Sequence, residues 1–239
     1  MRRLVAVREL LDGDLADSAT LDGNLRDLVR VNRRFGGTGL SLRAIRSLVA
    51  AGTGDPDAGE LRVLDVGTGA ADIPLAIVAA PGPWRSVTVT AIDSRTEILD
   101  SAGRVSPALA HRDDVALAIA DGRSLPFADG AFDVAHASLV LHHLREDDAA
   151  RFLRELARVA GRGVVINDLQ RGFFEWLGAW LVLHAITRNR FTLHDGPLSV
   201  RRAYTRAEVG RVLWQAGLRP VAWHVGFAGH RWAVAAVAA

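Results

Sequence analysis

The sequence predicts an α/β fold: a mostly parallel sheet with helices on both faces and one antiparallel strand near the C-terminus. Short β-branched apolar runs recur from Leu61 onward, at "LRVLDVG", "SVTVTAID", "VALAIAD", "FDVAHASLV" and "GVVINDL". The segments between them are long enough for helices, as "DDAARFLRELARVA" is. Uninterrupted apolar strands alternating with helices belong to parallel sheets covered on both faces. The chain closes on two more strand-like runs, "GLRPVAWHVGF" and "HRWAVAAVA", separated by little more than "AGH". So short a connection is a hairpin, which makes one terminal strand antiparallel.

The segment before the first strand reads as helical, and residues 1–60 are expected to form an N-terminal arm or lid. In "LDGNLRDLVRVNRRFGG", Leu21, Leu25, Leu28 and Val29 share one helical face, and Gly36-Gly37 is a stop. A second helix carries Leu42, Ile45, Leu48 and Val49. "GTGDPDAGE", residues 52–60, is a loop by composition. Residues 61–239 form the main domain, with an insertion at about 169–203 after the fifth strand.

Composition sets limits. The 239 residues are 49% hydrophobic and contain no cysteine, which rules out disulfides and thiolate metal sites. All 29 basic residues are arginine, and the net charge is +2. The pI of about 10.2 follows from the lack of groups titrating between His and Arg, not from a basic patch. The arginines are interspersed with 27 acids, so nucleic acid is not an expected partner. "MRRLVAVRELLDGD" is too short in its apolar part for a signal-peptide core. The greasy stretch Gly172 to Ile186 is too short to span a bilayer. A cytoplasmic protein without a membrane span is expected.

"LDVGTGAAD", Leu64 to Asp72, lies where the first strand turns into the first helix of the sheet. Gly67 and Gly69 permit a tight turn and a close backbone approach, with Thr68 between them and a helix N-terminus next. A dinucleotide loop wants glycine or alanine at the sixth position, where this chain has Asp72. Asp72 and Asp65 disfavour a pyrophosphate and favour a cationic ligand. Asp93 closes the second strand, 24 residues after Gly69, where a carboxylate accepts ribose hydroxyls. Asp121 closes the third. Strand-end aspartates are often only turn formers, but three beside a glycine loop line one crevice.

These residues, with "ADGRSLPFADGAFDVAHASLVLHHL", resemble the class I S-adenosylmethionine-dependent methyltransferases, over roughly Leu61 to Ala239. The likeness is closest to small-molecule enzymes of the ubiquinone and menaquinone type. It implies a Rossmann-like seven-stranded sheet of order 3-2-1-4-5-7-6. It also implies S-adenosylmethionine as cofactor. Asp65 and the Gly67–Gly69 loop would hold its methionine part, with Thr68 and Asp72. Asp93 and Ser94 would meet the ribose. Asp121, Gly122 and Arg123 would meet the adenine edge, with Ser138 near the methyl group. Ala71 stands where many members have glycine.

"ASLVLHHLRED" ends an apolar run on His142 and His143. A metal site is not expected there: adjacent side chains diverge, and Glu146 is the one acid at helical spacing from His142. Magnesium-dependent relatives need an acid at this strand end, where Ser138 and Leu139 stand. Either histidine suits a general base, His142 first, with Asp168 from "GVVINDL" as a catalytic partner. A hydrogen-bonded structural pair is the alternative.

Acceptor recognition is expected from outside the core. The candidates are Arg33 and Phe35 in the arm, Arg171, Phe174, Trp176 and Trp180 in the insertion, and His194 and Arg201 in a loop after it. Phe173, Trp176, Leu177, Trp180, Leu181 and His184 share a helical stripe, but the helix is apolar on nearly every side and is expected to be buried. It has three readings: packing on the core, covering an acceptor, or forming an oligomer face through Gly172–Ile186. "LRDLVRVNRRFGG", "INDLQRG" and "LHDGPLSVRRAYT" also resemble methyltransferases that accompany type III polyketide synthases, which implies a phenol or resorcinol-like acceptor. O-methylation of a phenolic or enolic hydroxyl is the expected reaction in secondary metabolism. Ring C-methylation and a non-catalytic interaction protein on the same fold are the alternatives.

Overall fold

The computed structural model describes residues 1–5, 7–51, 59–80, 82 and 84–239. Most of the loop expected at 52–60 lies outside the described residues. Seven strands form one sheet: β1 (Glu60–Val66), β2 (Ser86–Asp93), β3 (Val115–Ile119), β4 (Phe132–Ser138), β5 (Ala160–Leu169), β6 (Leu218–Val225) and β7 (Arg231–Ala238). Their order is β3-β2-β1-β4-β5-β7-β6. The first five run parallel, and β7 is antiparallel to both β5 and β6. The sheet is the Rossmann-like one expected, including the hairpin.

Among the described residues, eight α-helices surround it: α1 (Ser18–Arg34), α2 (Gly37–Ala51), α3 (Asp72–Ala79), α4 (Thr96–Val105), α5 (Glu146–Val159), α6 (Phe173–Ile186), α7 (Arg190–Arg202) and α8 (Arg206–Gln215). One face of the sheet is covered by α5 and α8, whose Phe152, Leu153, Val209 and Leu213 pack on Leu64, Ala135 and Trp232. On the other face, Leu40, Ala44, Ile45 and Leu48 of α2 pack with Ile73 and Ile77 of α3 onto Val63, Val165 and Ala235. So α2 is a layer of the core, whereas α1 stands off the sheet against α4 and α7.

Three sequence expectations change. Among residues 1–5 and 7–17 the regular structure is one helical turn, Leu10–Asp12, and not the helix expected. The segment expected as a loop around His194, Asp195 and Arg201 is α7, started by Asn189, whose side chain accepts the N–H groups of Phe191 and Thr192. Pro197 sits inside that helix, and tertiary packing overrides its breaking tendency. Finally, α6 is only half covered: Leu183 is its one buried residue, and Phe173, Phe174, Trp180, Leu181 and Ile186 are exposed. A helix apolar all round has no periodicity that selects its inner face.

Candidate active site

The crevice at the carboxyl ends of β1, β2 and β4 is shaped by the backbone. Gly67 has φ +71° and Gly69 φ +55°, and the N–H groups of Gly67 and Thr68 donate to the Ile92 carbonyl at 2.9 and 3.0 Å. A Cβ on Gly67 would collide with Val140, and one on Gly122 would press on Val66 and Phe152. At Gly69 the space is open. Ala71 takes a left-handed φ of +54° at the start of α3, a conformation that glycine adopts at lower cost.

The acids of the crevice stand in different environments. Asp65 is buried and accepts from His136 Nδ1 at 2.5 Å. His136 Nε2 lies 2.8 Å from the Ser41 hydroxyl, which also accepts from Asn167. A proton on Nδ1 and none on Nε2 satisfies the whole chain of bonds. Asp93 accepts the N–H of Gly69 at 3.4 Å and of Arg95 at 3.2 Å. Burial pushes its carboxyl up, and Asp65 adds to this. Asp121 is at the surface, clamped by Arg123 through both oxygens. Those hydrogen bonds hold its carboxyl below the usual range. Ser94 is exposed, beside Asp93. Asp72 faces α1, where Asn32 Nδ2 donates to it at 3.2 Å, and burial raises its pKa. Ser138 accepts from Arg231.

The observation bearing most directly on a cofactor is Thr68. Its hydroxyl is buried in the glycine loop and has no hydrogen-bond partner among the described residues. A polar atom left so in a concave backbone cradle fits a ligand that supplies the partner. Asp65, Asp93 and the open space at Gly69 complete a site with acceptors for a cationic, hydroxyl-bearing molecule.

Beside the crevice lies a cavity of about 420 Å³. One wall is α6, which presents Phe174, Gly178 and Val182, four residues apart on one face. Opposite stand Leu28, Val31 and Phe35 of α1, and Leu139 and Leu169 close the inner side. Leu139, with φ +59°, follows the last residue of β4 and brings the cavity to the strand ends.

The cavity's polar end is made by the histidines. They sit on a helical turn, Leu141–His143, which begins three residues after Ser138, the last of β4, and not on the strand end where the sequence placed them. His142 is buried. Asp168 accepts its backbone N–H at 3.0 Å through one oxygen and meets Nδ1 at 2.7 Å through the other. Nε2 stands 3.5 Å from Glu9 Oε1. Burial alone would lower the pKa of this imidazole. The charge and hydrogen bond of Asp168, with Glu9, outweigh it and push the pKa up to about 10. In this arrangement His142 carries its proton and donates. His143 Nδ1 lies 3.1 Å from Asp12 and its Nε2 3.7 Å from Glu9 Oε2. Glu9 is fixed by the Ser199 hydroxyl at 2.9 Å and by Arg202 at 3.2 Å.

Of the residues expected to meet the acceptor, only Phe35 and Phe174 line the cavity. Arg33 and Arg201 are exposed on α1 and α7. Trp180 packs on His184 on the outer side of α6, and Trp176 is near Phe173 on that helix rather than in the cavity wall. His194 pairs with Asp195 at 2.7 Å, outside the cavity. Arg171 is structural: it donates to the carbonyls of Met1 and Ala203 and to Glu208. These residues were chosen by type, and type does not tell which side of a helix faces in. Glu9, Asn24, His136, Arg202 and Arg231 escaped notice. An arginine opening the apolar run "RWAVAAVA" was the one signal for Arg231. That residue is buried, donates to Asn167, Asn32 and Ser138, and has its pKa lowered by burial to about 10.

Residues 63–163, from β1 to the start of β5, match a family described as methyltransferase domain. No protein of curated function matches the chain in sequence. A methyltransferase described as S-adenosylmethionine-dependent, from Aquifex aeolicus, is 22% identical with a TM-score of 0.61, over 90% of this chain and 97% of that one. Magnesium protoporphyrin IX methyltransferase from Synechocystis PCC 6803, with bound S-adenosylhomocysteine, is 16% identical with a TM-score of 0.58, over 85% and 84%. The mitomycin 7-O-methyltransferase MmcR is 20% identical with a TM-score of 0.57, over 83% of this chain and 54% of that one. At these identities the likeness to the solved structures is one of fold. The domain match is to methyltransferases and covers less than half of the chain.

Proposed function

We propose that this chain transfers a methyl group from S-adenosylmethionine to a hydroxyl oxygen of a small, lipophilic, aromatic acceptor of the phenol or resorcinol kind. The observation that carries the reading is the cavity: mostly apolar walls, with Glu9, His142 and His143 at one end and Asn24, Asp27 and Thr192 also in the lining, and an inner side at the end of β4 beside the glycine loop. An apolar body with a hydroxyl fits a mostly apolar lining that offers polar partners, the histidines among them.

The donor, when bound, supplies a methyl group on a positively charged sulfur. Thr68 offers the buried hydroxyl, Asp65 the negative charge on that side, and Asp93 the acceptor for ribose hydroxyls. Asp121, Gly122 and Arg123 border the adenine edge. Displacement at the methyl carbon needs the acceptor oxygen in line and about 3–3.5 Å away. Leu139 and Leu169 fix the acceptor's body from below and Phe174 from the mouth. His142, held rigid by Asp168, meets the oxygen. Water is displaced from the apolar walls, which strengthens each polar contact that remains. Of the solved neighbours, one is by its printed name an O-methyltransferase, the mitomycin 7-O-methyltransferase MmcR, and another is the pyocyanin biosynthetic protein PhzM, which supports methyl transfer to oxygen of a small molecule.

The test is thermal unfolding with S-adenosylhomocysteine, with NAD as control, followed by methyl transfer to a panel of alkylated phenols and resorcinols. Ligand at 100 times its dissociation constant adds about 2.7 kcal/mol. For a chain of this size that is roughly 5–10 °C at about 2–4 °C per kcal/mol. The shift is expected with S-adenosylhomocysteine and lost in Asp93→Ala. A shift with NAD alone overturns the cofactor, and products methylated on ring carbon overturn the reaction.

A further inference from the structure

We infer that Glu9, His142 and His143 form a binding site for one divalent first-row transition cation at the polar end of the cavity.

The argument begins with what the two rings use their nitrogens for. His142 Nδ1 is taken by Asp168 at 2.7 Å and His143 Nδ1 by Asp12 at 3.1 Å. Both rings are therefore oriented by a carboxylate on one nitrogen, with Nε2 left facing Glu9. Metal-binding histidines are held this way: the second nitrogen donates to a carboxylate, which fixes the ring and raises the basicity of the ligand atom. Adjacent residues normally send their side chains apart. Here the helical turn keeps the rings side by side, with centroids 4.3 Å apart and planes tilted by 34°.

The distances to Glu9 agree. Nε2 of His142 is 3.5 Å from one carboxylate oxygen, and Nε2 of His143 is 3.7 Å from the other. Both exceed the ordinary hydrogen-bond range of about 2.7–3.2 Å. They are close to the spacing of two atoms that each bind one tetrahedral cation at about 2.0–2.2 Å. One ligand atom from each of the three residues lies within 4.8 Å of the others.

Charge points the same way. Glu9 and Asp12 face Arg202 and the two rings, and Asp168 faces His142 and the buried Arg231. Three carboxylates stand against two guanidiniums, so a dication that displaces the proton from His142 Nε2 meets a net negative surrounding. The donor set, two imidazoles and one carboxylate, suits zinc or ferrous iron better than magnesium or calcium, which prefer oxygen ligands.

All three residues line the cavity, so the remaining coordination positions open toward whatever fills it. If the acceptor is a hydroxyl compound, as in the function proposed above, its oxygen completes the shell, the cation taking the place of a direct contact between His142 and that oxygen and lowering the oxygen's pKa. That use rests on the earlier reading. The cation site itself does not.

The experiment strips the full chain with a chelator and titrates it with Co²⁺ in the absence of donor and acceptor, following the visible d–d absorption. Competition with Zn²⁺ follows. One Co²⁺ per chain is expected, displaced by Zn²⁺. His143→Gln and Glu9→Gln are each expected to weaken it at least tenfold, and Asp12→Asn about 10–100-fold, as for an outer-shell carboxylate. Circular dichroism confirms that each variant is folded. His143 is a quarter exposed and is the variant least prone to misfolding. Absence of stoichiometric Co²⁺ on the folded wild-type chain overturns the site. So does affinity unchanged in folded His143→Gln, which would place the ion on other residues. Neither result touches the shift with S-adenosylhomocysteine, so failure here and failure of the methyl-transfer reading are separable.

Discussion

Asp168 holds His142 at two points, accepting its backbone N–H at 3.0 Å and meeting its Nδ1 at 2.7 Å. One carboxylate therefore sets both the position of the turn and the plane of the ring. Asp168→Asn keeps the shape but loses the charge and one acceptor. The expected outcome is a drop in kcat of about 10²–10⁴-fold, the range of a positioned proton-handling group. The thermal shift with S-adenosylhomocysteine should persist, because Asp168 does not line the glycine loop. A kcat within threefold of wild type would remove His142 from the reaction centre.

Gly67 combines a φ of +71° with direct contact to Val140. Gly67→Ala meets both a backbone penalty and a collision, and should cost about 1–3 kcal/mol of stability. It should also abolish the S-adenosylhomocysteine shift, since the loop must move. Gly69→Ala carries only the backbone penalty, because space is open there. Urea melts of the two variants, with and without ligand, distinguish these effects. Equal losses in both would contradict the role assigned to Val140.

Gly178 lies on the cavity side of α6, and no atom stands within 4 Å of a Cβ built on it. Gly178→Leu should fill the cavity while also gaining helix propensity, about 0.8–1 kcal/mol relative to glycine. The expected result is an acceptor KM raised at least tenfold, an unchanged ligand shift and a melting temperature no lower than wild type. An unaltered KM would place the acceptor elsewhere.

Glu208 links the arm and insertion to α8. Its carboxylate takes Arg171 Nη2 at 2.6 Å and the Thr205 N–H at 2.8 Å, and although burial opposes its charge, these bonds hold its pKa at about 2. The folded value lies below the unfolded one of 4.5. Its contribution to stability is therefore present above about pH 4.5 and lost as pH falls toward 2. Melting temperatures of wild type and Glu208→Gln should differ at pH 7, begin to approach one another below about pH 4.5, and converge only as pH falls to about 2. A constant gap would assign the effect to packing instead of charge.

The parts of this protein legible in the sequence share a local cause. Strands show in runs of β-branched residues because a doubly covered parallel sheet needs apolar side chains on both faces of each strand. The glycine loop shows because only its own backbone geometry demands Gly67 and Gly69. Asp93 shows because it ends the strand next to that loop. The helix of residues 173–186 was legible as a helix, but its inward face was not: with apolar residues on every side, only packing chose Phe174, Gly178 and Val182 over Trp176 and Trp180.

The sequence by itself determined the sheet, its hairpin and the cradle at the end of β1, since each depends on neighbours along the chain and on the short range of steric and hydrophobic preference. Only the tertiary structure decided the polar end of the cavity and the ties around it. Glu9 and Arg202 reach His142 and His143 from opposite ends of the chain, and Arg231 joins Asn32 to Ser138 and Asn167. Charge interacts through space, and the partner that decides whether a histidine donates, accepts or holds an ion is set by folding rather than by adjacency in the chain.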